Sequence, residues 1–326
     1  MKQSFIYLFA AVLALVSCSK VKDVYTGTPE SREIAFSPLA RPATRAAISD
    51  GTFPTGSSMQ VAAYDVTAGA EFFAPSSFTY SNSGSLWTGG KSWPLSPAVI
   101  NFLAYAEFQG ETAAWGSPSA SSVALQMTDN SVAQKDLIYA IGTGAVTQSD
   151  NALTFPTSVS MSFLHAQAWI SFNANATEGS GNRVKVNYIK LNGAKYSGTF
   201  TVTMNNYNTG SPSVSGVWSN LGSAPAAGVN IAGPESPIAY AASGNGTAIG
   251  NGLLIVPDPS SDFDFSSFTI NYTLDGKTYN YSYTPASTNV MAGNKYVYNI
   301  VFSLHDIAIS AAVQTWSAGS GVDVNI

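Results

Sequence analysis

Ser267-Phe268-Thr269-Ile270-Asn271-Tyr272-Thr273-Leu274 and Lys277-Thr278-Tyr279-Asn280-Tyr281-Ser282-Tyr283 flank the dipeptide Asp275-Gly276. Apolar and polar residues alternate on both sides of it, the period of a strand with one buried face. Asp-Gly suits a two-residue hairpin loop because both of its positions tolerate positive φ. The stretch therefore predicts an antiparallel hairpin. Its second arm lines up Lys277, Tyr279, Tyr281 and Tyr283 on one face, and such a stripe more often packs across strands on a half-exposed sheet than binds sugar.

Working outward, period-2 segments recur in both directions with turn residues between them, and no window carries a persuasive 3.6-residue stripe. Towards the N-terminus the expected strands are Ile34–Phe36, Met59–Val66, Val99–Phe108, Leu137–Val146 and Val159–Phe172. Beyond them come Val184–Leu191, Thr199–Met204, Leu253–Val256 and, after the opening hairpin, Lys295–Leu304, Ile307–Trp316 and Val322–Ile326. No repeat of solenoid or propeller period is visible. The polar stretch Ala174–Asn182 separates two β-rich parts of ordinary domain size. The expectation is an all-β chain of two tandem β-sandwich domains, 46–175 and 176–326.

Charged residues make up only 10% of the 326 residues, against a usual share of about 25%. A net charge of −5 with no Lys/Arg run excludes an electrostatic nucleic-acid binder. One cysteine and two histidines exclude a disulfide scaffold and the usual structural zinc site. No cofactor, metal or catalytic residue is expected. His165, in Phe163-Leu164-His165-Ala166, reads as a buried, hydrogen-bonded structural histidine, and no nucleophile-elbow motif accompanies it. Asp258, Asp262 and Asp264 lack the glycine and terminal glutamate of a calcium loop and read as a solvated turn. Trp87, Trp93, Trp115, Trp169, Trp218 and Trp316 fit core or rim packing.

The N-terminus carries an export signal. Lys2 precedes an apolar run from Phe5 to Val16, too short to span a bilayer but of signal-peptide length. Residues 1–17 are assigned to that signal. Leu15-Val16-Ser17-Cys18 resembles a bacterial lipobox, and the one cysteine of the chain falls where acylation requires it. Cys18 is thus expected to carry lipid, with several acyl chains holding the precursor firmly to a membrane. Residues 19–33 read as a spacer.

Three of the four arginines, Arg32, Arg41 and Arg45, lie close together after this spacer. Arg41 precedes Pro42, whose tertiary amide is a poor protease substrate, and Arg32 precedes Glu33. Arg45 precedes Ala46-Ala47 in an accessible Pro/Thr/Ala-rich stretch. Solvated linker charge is the plain alternative.

Short motifs spread over nearly the whole exported chain resemble the fimbrillin-family (FimA-like) pilins of the Bacteroidota type. They are Cys18; Thr44-Arg45-Ala46 ahead of Phe53-Pro54; Met59-Gln60-Val61-Ala62-Ala63-Tyr64; Ser92-Trp93-Pro94; and Ile100-Asn101-Phe102-Leu103-Ala104-Tyr105. Asp136-Leu137-Ile138-Tyr139-Ala140, Phe163-Leu164-His165, Met291-Ala292-Gly293-Asn294-Lys295-Tyr296-Val297-Tyr298-Asn299-Ile300, Ile309 through Val313 and Trp316 continue them in order. The resemblance implies transthyretin-like β-sandwiches and a structural stalk subunit without enzyme activity. It also implies a lipoprotein precursor in the outer membrane, its lipid of the palmitate kind, that matures into an extracellular fimbrium supporting cell adhesion. The implied partners are other pilin subunits, an Arg-specific protease and the outer membrane.

By the same resemblance residues 18–45 form a lipidated leader with a removable strand around Glu33–Ala40, cut between Arg45 and Ala46. The C-terminal strand of another subunit would then fill the groove left behind. The residues agree: Ile34 and Phe36 alternate with Glu33 and Ala35, while Val322, Val324 and Ile326 alternate with Asp323 and Asn325 after the Ser317–Gly321 hinge. Head-to-tail exchange of this kind does not close and so builds a filament. An anchor or tip subunit, and a monomeric glycan-binding surface lipoprotein, remain as alternatives.

Overall fold

Asp275 and Gly276 form the expected turn: their φ angles are +49° and +82°, and Leu274 pairs directly with Lys277. Two successive left-handed residues match the right-handed twist of the arms. A computed structural model describes residues 32–40, 53–107, 110–117, 120–242, 246–303, 306–315 and 324–325. All regular elements among them are strands, as the alternation throughout the sequence implies. The arrangement as two tandem sandwiches is a finer matter.

Strands β1 (Glu33–Ala40), β2 (Ser58–Asp65), β3 (Ala70–Ser81), β4 (Leu86–Ser92) and β5 (Ala98–Ala106) are followed by β6 (Gly110–Ser117) and β7 (Ala120–Met127). Next come β8 (Ile138–Ser149), β9 (Ala152–Thr154), β10 (Val159–His165) and β11 (Ala168–Ala176). Hydrogen-bonded neighbours run in the order β10-β1-β4-β3-β2-β5-β8, and β8 also pairs with β10. These strands thus close on themselves around one core, with β9 hairpinned to the far end of β8. The centre holds Phe36, Phe78, Trp87, Trp93, Ile100, Phe102 and Met161, all almost fully buried.

The later strands are β12 (Val184–Asn192), β13 (Gly198–Asn205), β14 (Ser213–Ser219), β15 (Val229–Ala232), β16 (Thr247–Ala248) and β17 (Leu253–Ile255). The chain ends with β18 (Ser267–Leu274), β19 (Lys277–Tyr283), β20 (Asn294–Phe302), β21 (Ile307–Thr315) and β22 (Val324–Asn325). One sheet has the order β16-β11-β20-β21-β22, with β17 also on β11, and another the order β15-β12-β18-β19. They face each other across a shared core in which Phe172 of β11 meets Phe268 of β18 edge-on, 4.9 Å between centroids.

The remaining sheet, β14-β13-β7-β6, joins segments from both halves of the chain. Its Val123, Leu125, Phe200, Val202 and Trp218 pack on Leu103 and Tyr105 of β5 and Tyr139 of β8, in a core distinct from the one inside the closed ring. β5 is therefore buried on both faces, which is why Ile100–Ala106 reads as a nearly continuous apolar run. Its one amide, Asn101, is fully buried and satisfied. It donates to the carbonyls of Tyr207 and Thr209 and accepts from the Thr143 hydroxyl.

The expected single strand Val159–Phe172 is two strands. Buried positions are odd-numbered from Val159 to His165 and even-numbered from Ala168 to Ala176. The parity changes at Ala166-Gln167, where the chain passes from the N-terminal core to the C-terminal one. There the Ala166 amide donates to the Leu137 carbonyl, and Gln167 Oε1 accepts from the Leu137 amide. β11 consequently packs in the C-terminal core, although the boundary drawn after residue 175 leaves nearly all of it on the other side.

Close packing inside the ring depends on missing side chains in β8. A Cβ on Gly142 would lie 2.7 Å from Val159 Cγ1, and one on Gly144 would lie 2.3 Å from Trp93 Cη2. Gly144→Ala should cost about 1–3 kcal/mol through overpacking, read as a lower urea midpoint with an unchanged m value.

Candidate functional site

β1 occupies the position in the ring where the circuit can be opened. It runs parallel to β10, with Phe36 opposite Val159 and Ser37 opposite Ser160, and antiparallel to β4, with Phe36 opposite Trp87 and Ala35 opposite Thr88. Ile34 and Phe36 are completely buried. The Phe36 ring meets Phe78 and Phe102 edge-on, at 5.0 and 5.1 Å between centroids. Burying each of these two side chains contributes about 1.5–3 kcal/mol.

Polar contacts fix the register at the strand's start. The Trp93 amide donates to the Arg32 carbonyl at 2.9 Å, and Arg32 Nη2 returns a bond to the Trp93 carbonyl at 3.0 Å. The Gly90 amide donates to Glu33 Oε1 at 3.2 Å. Towards the other end the register shifts between Pro38 and Ala40, where proline supplies no N–H to the ladder. Withdrawal of β1 would leave β10 and β4 without a shared neighbour, exposing ladder groups and an apolar slot together.

Phe53 closes the same core just beyond the arginine-bearing segment. Its ring packs against Trp87 at 4.9 Å, Phe163 at 5.4 Å and Tyr80 at 5.6 Å. A cut at Arg45 separates β1 from Phe53 in sequence, so Phe36 would leave while Phe53 and the rings around it would stay.

At the opposite end of the chain, the described residues of β22 pair with β21 as Val313↔Val324 and Ala312↔Asn325. It is the edge of the C-terminal sheet, while β1 is in the ring; a subunit does not place its own C-terminal strand in its own slot. Of the expected site residues, Ile34, Phe36 and Val324 therefore lie in strands. Cys18, Arg45, Ala46, Val322 and Ile326 lie outside the described residues.

β4, which forms one wall of the slot, was not expected from the sequence. Leu86-Trp87-Thr88-Gly89-Gly90-Lys91-Ser92 has two glycines where alternation needs side chains. The available signal is its turn: Asn82-Ser83-Gly84-Ser85 lies between Tyr80 and Trp87, which pair across the β3–β4 hairpin.

The other candidates serve the fold. His165 is buried and its Nδ1 lies 2.8 Å from Asp136 Oδ2. The aspartates do not form one solvated turn. Asp258 pairs with Lys195, and that ammonium, with the Ser260 hydroxyl and amide, holds its carboxyl down at about 2. Asp264 is buried and accepts from the amides of Asp258 and Val290, and burial pushes its carboxyl up. Trp87, Trp93 and Trp218 are core residues, and Trp169 carries Lys295 at 4.0 Å over its ring. Trp316 and His305 lie outside the described residues.

Residues 44–316 match the family model described as fimbrillin-like. The chain belongs to the fimbrillin-like family. The matched span begins one residue before Arg45, so β1 precedes it. No curated protein matches this fimbrillin-like chain. Two of the solved structures similar to it illustrate the shared fold. One is a candidate cell adhesion protein from Bacteroides ovatus, with a TM-score of 0.53 at 15% identity over 89% of this chain and 99% of that one. The other is a fimbrial protein from Bacteroides vulgatus, with a TM-score of 0.52 at 15% identity over 87% and 99%. As a fimbrillin-like protein the chain is structural rather than enzymatic.

Proposed function

We propose that this fimbrillin-like protein is a stalk subunit of cell-surface fimbriae. It is exported as a Cys18 lipoprotein, cut between Arg45 and Ala46 by an Arg-specific protease, and polymerised when the Val322–Ile326 strand of one subunit replaces β1 in the next. The observation that carries this reading is the placement of β1. Its apolar residues are fully buried and it bridges two strands of the ring, yet only the arginine-bearing segment connects it to the rest of the chain. Removal leaves a slot bounded by β4 and β10 that a second chain can fill by strand addition. β22 lies at the edge of its sheet, the position from which a strand is most readily lent.

Two further features support the reading. Arg32 is tied by its carbonyl and guanidinium to Trp93, and Arg41 precedes proline, which favours Arg45 as the point of cleavage. From Ala46 onward the sequence holds eight Lys/Arg and sixteen Asp/Glu, with Arg183 its only arginine. Arg183 donates to Asp275 from Nε at 2.8 Å, and its carbonyl accepts from the Asp275 amide. A mature body of this composition offers an arginine-specific protease almost nothing to cut.

The test is limited digestion of the purified precursor with an Arg-specific protease. Detergent-stable ladders should form, and the mature chain should begin at Ala46. Native filaments whose subunits begin at Cys18 or Ser19 would overturn the cleavage step. Deleting Val322–Ile326 should leave the precursor folded, with its urea transition intact, and reduce the ladder to background. Long polymers from the truncated chain would overturn the donor assignment and favour a subunit that only accepts.

A further inference from the structure

The C-terminal pair of sheets is open along one side, where β19 ends one sheet and β21 and β22 end the other. The tyrosine stripe of β19 lies on this side. Tyr283 is opposite Phe268, Tyr281 opposite Ile270 and Tyr279 opposite Tyr272 in the hairpin register. Tyr283 packs on Phe268 of the core at 5.2 Å. Tyr279 is stacked on Tyr272 at 5.5 Å with 24° between the planes, and still leaves 42% of its surface exposed.

Between this hairpin and the β20–β21 turn lies a cleft of about 320 Å³, lined by Tyr272, Tyr279, Tyr281, Phe302, Ser303 and Asp306 among others. Small-molecule sites run from roughly 300 to 1,000 Å³, so the cleft suits a small ring compound and not an extended chain. Its chemistry is uneven in an informative way. The hydroxyls of Tyr272, Tyr279 and Tyr281 make no hydrogen bond among the described residues.

Asp306 is exposed and is set by its turn. Its amide donates to the Ser303 hydroxyl oxygen at 2.8 Å, and the Ile307 amide donates to Asp306 Oδ1 at 2.7 Å. Oδ2 has no partner among the described residues. The lining contains no lysine or arginine. The neighbouring Arg183, next to the lining residue Val184, is already engaged by Asp275. A phosphate, sulfate or carboxylate ligand would therefore meet an unpaired carboxylate and no cation, an arrangement that repels it.

Ring faces with unmatched hydroxyls, one fixed carboxylate and no available cation fit a neutral polyol with an apolar face. We propose that the cleft binds the terminal sugar of a neutral glycan, with the exposed Tyr279 ring against one pyranose face and the Asp306 carboxylate accepting from its hydroxyls. This rests on the surface placement of the fimbrial reading but not on cleavage or strand exchange. A peptide strand is the poorer occupant: it would add along the edge of β19, where backbone groups are unpaired, and not enter the cleft.

The experiment uses the uncut chain, titrated with lactose, maltose and cellobiose and followed by saturation-transfer NMR and calorimetry. At least one disaccharide should bind with a Kd in the millimolar range. Tyr279→Ala and Asp306→Asn should each weaken it about tenfold, a loss of roughly 1.4 kcal/mol, with thermal melting unchanged. Tyr279→Phe, which keeps the ring, should retain most of the affinity. Absence of saturation transfer from all three sugars, binding indifferent to Tyr279→Ala, or tighter binding of the anionic sialyllactose would each overturn the proposal. Because the precursor is not cleaved, failure here leaves polymerisation standing, and failure of polymerisation leaves this site standing.

Discussion

Arg45→Ala should leave the precursor full-length and monomeric after treatment with an Arg-specific protease, under conditions that convert the parent chain to detergent-stable ladders. The expected loss is complete, down to the level of untreated protein, because neither neighbouring arginine can substitute. Arg32 is held at the edge of β4 through two hydrogen bonds to Trp93, and a protease needs an extended, unpaired backbone to cut. Arg41 is followed by proline. Moving the site, by combining Arg45→Ala with a new arginine at Ala47, should restore the ladder. This separates a requirement for cleavage from a requirement for the Arg45 side chain itself. Gel electrophoresis and N-terminal sequencing read both results, and ladders from Arg45→Ala alone would place the cut elsewhere.

Phe36→Ala should destabilise the precursor by about 3–5 kcal/mol, the range for deleting a buried phenylalanine, and should leave the mature polymer unchanged. In the precursor Phe36 is fully buried and contacts two other rings edge-on. In the mature chain proposed here it has been discarded with β1. Urea denaturation of precursor and polymer, compared for the parent and the variant, reads the difference. Ile34→Val provides a graded control, at about 0.5–1.5 kcal/mol. Equal loss in precursor and polymer would mean that β1 stays in the filament.

The consequence for assembly is energetic. Apolar surface worth several kcal/mol is released with Ile34 and Phe36, and ladder groups on β4 and β10 lose their partners. The cleaved subunit is therefore poised to accept a strand. Asymmetry between a strand paired on both sides, β1, and one at a sheet edge, β22, sets the direction of exchange in this reading: the slot opens only by proteolysis, while the donor end is paired on one side from the start.

Local chemistry made much of this architecture legible. Asp275-Gly276 set its own turn because a two-residue loop with two left-handed residues is a property of neighbouring residues. Alternation placed Ile34 and Phe36 on a buried face, and the burial agrees. The lapse at Val159–Phe172 was also present in the sequence, as the change of apolar parity across Ala166-Gln167. β4 was hidden because Gly89 and Gly90 carry no side chain with which to alternate. Gly89 faces Phe78 so closely that its Cβ would lie 2.8 Å from that ring.

By itself, then, the sequence determined an all-β chain and which residues of a strand face inward. Those properties depend on residues within a few positions of one another. Only the tertiary structure decided that β1 lies between β4 and β10 in a closed circuit, and that β7 pairs with β13 across the two halves. It also left Tyr279 and Asp306 beside one open cleft. Alternation specifies the face of a strand but not its neighbour, and pairing between distant strands is selected by the packing of complete cores.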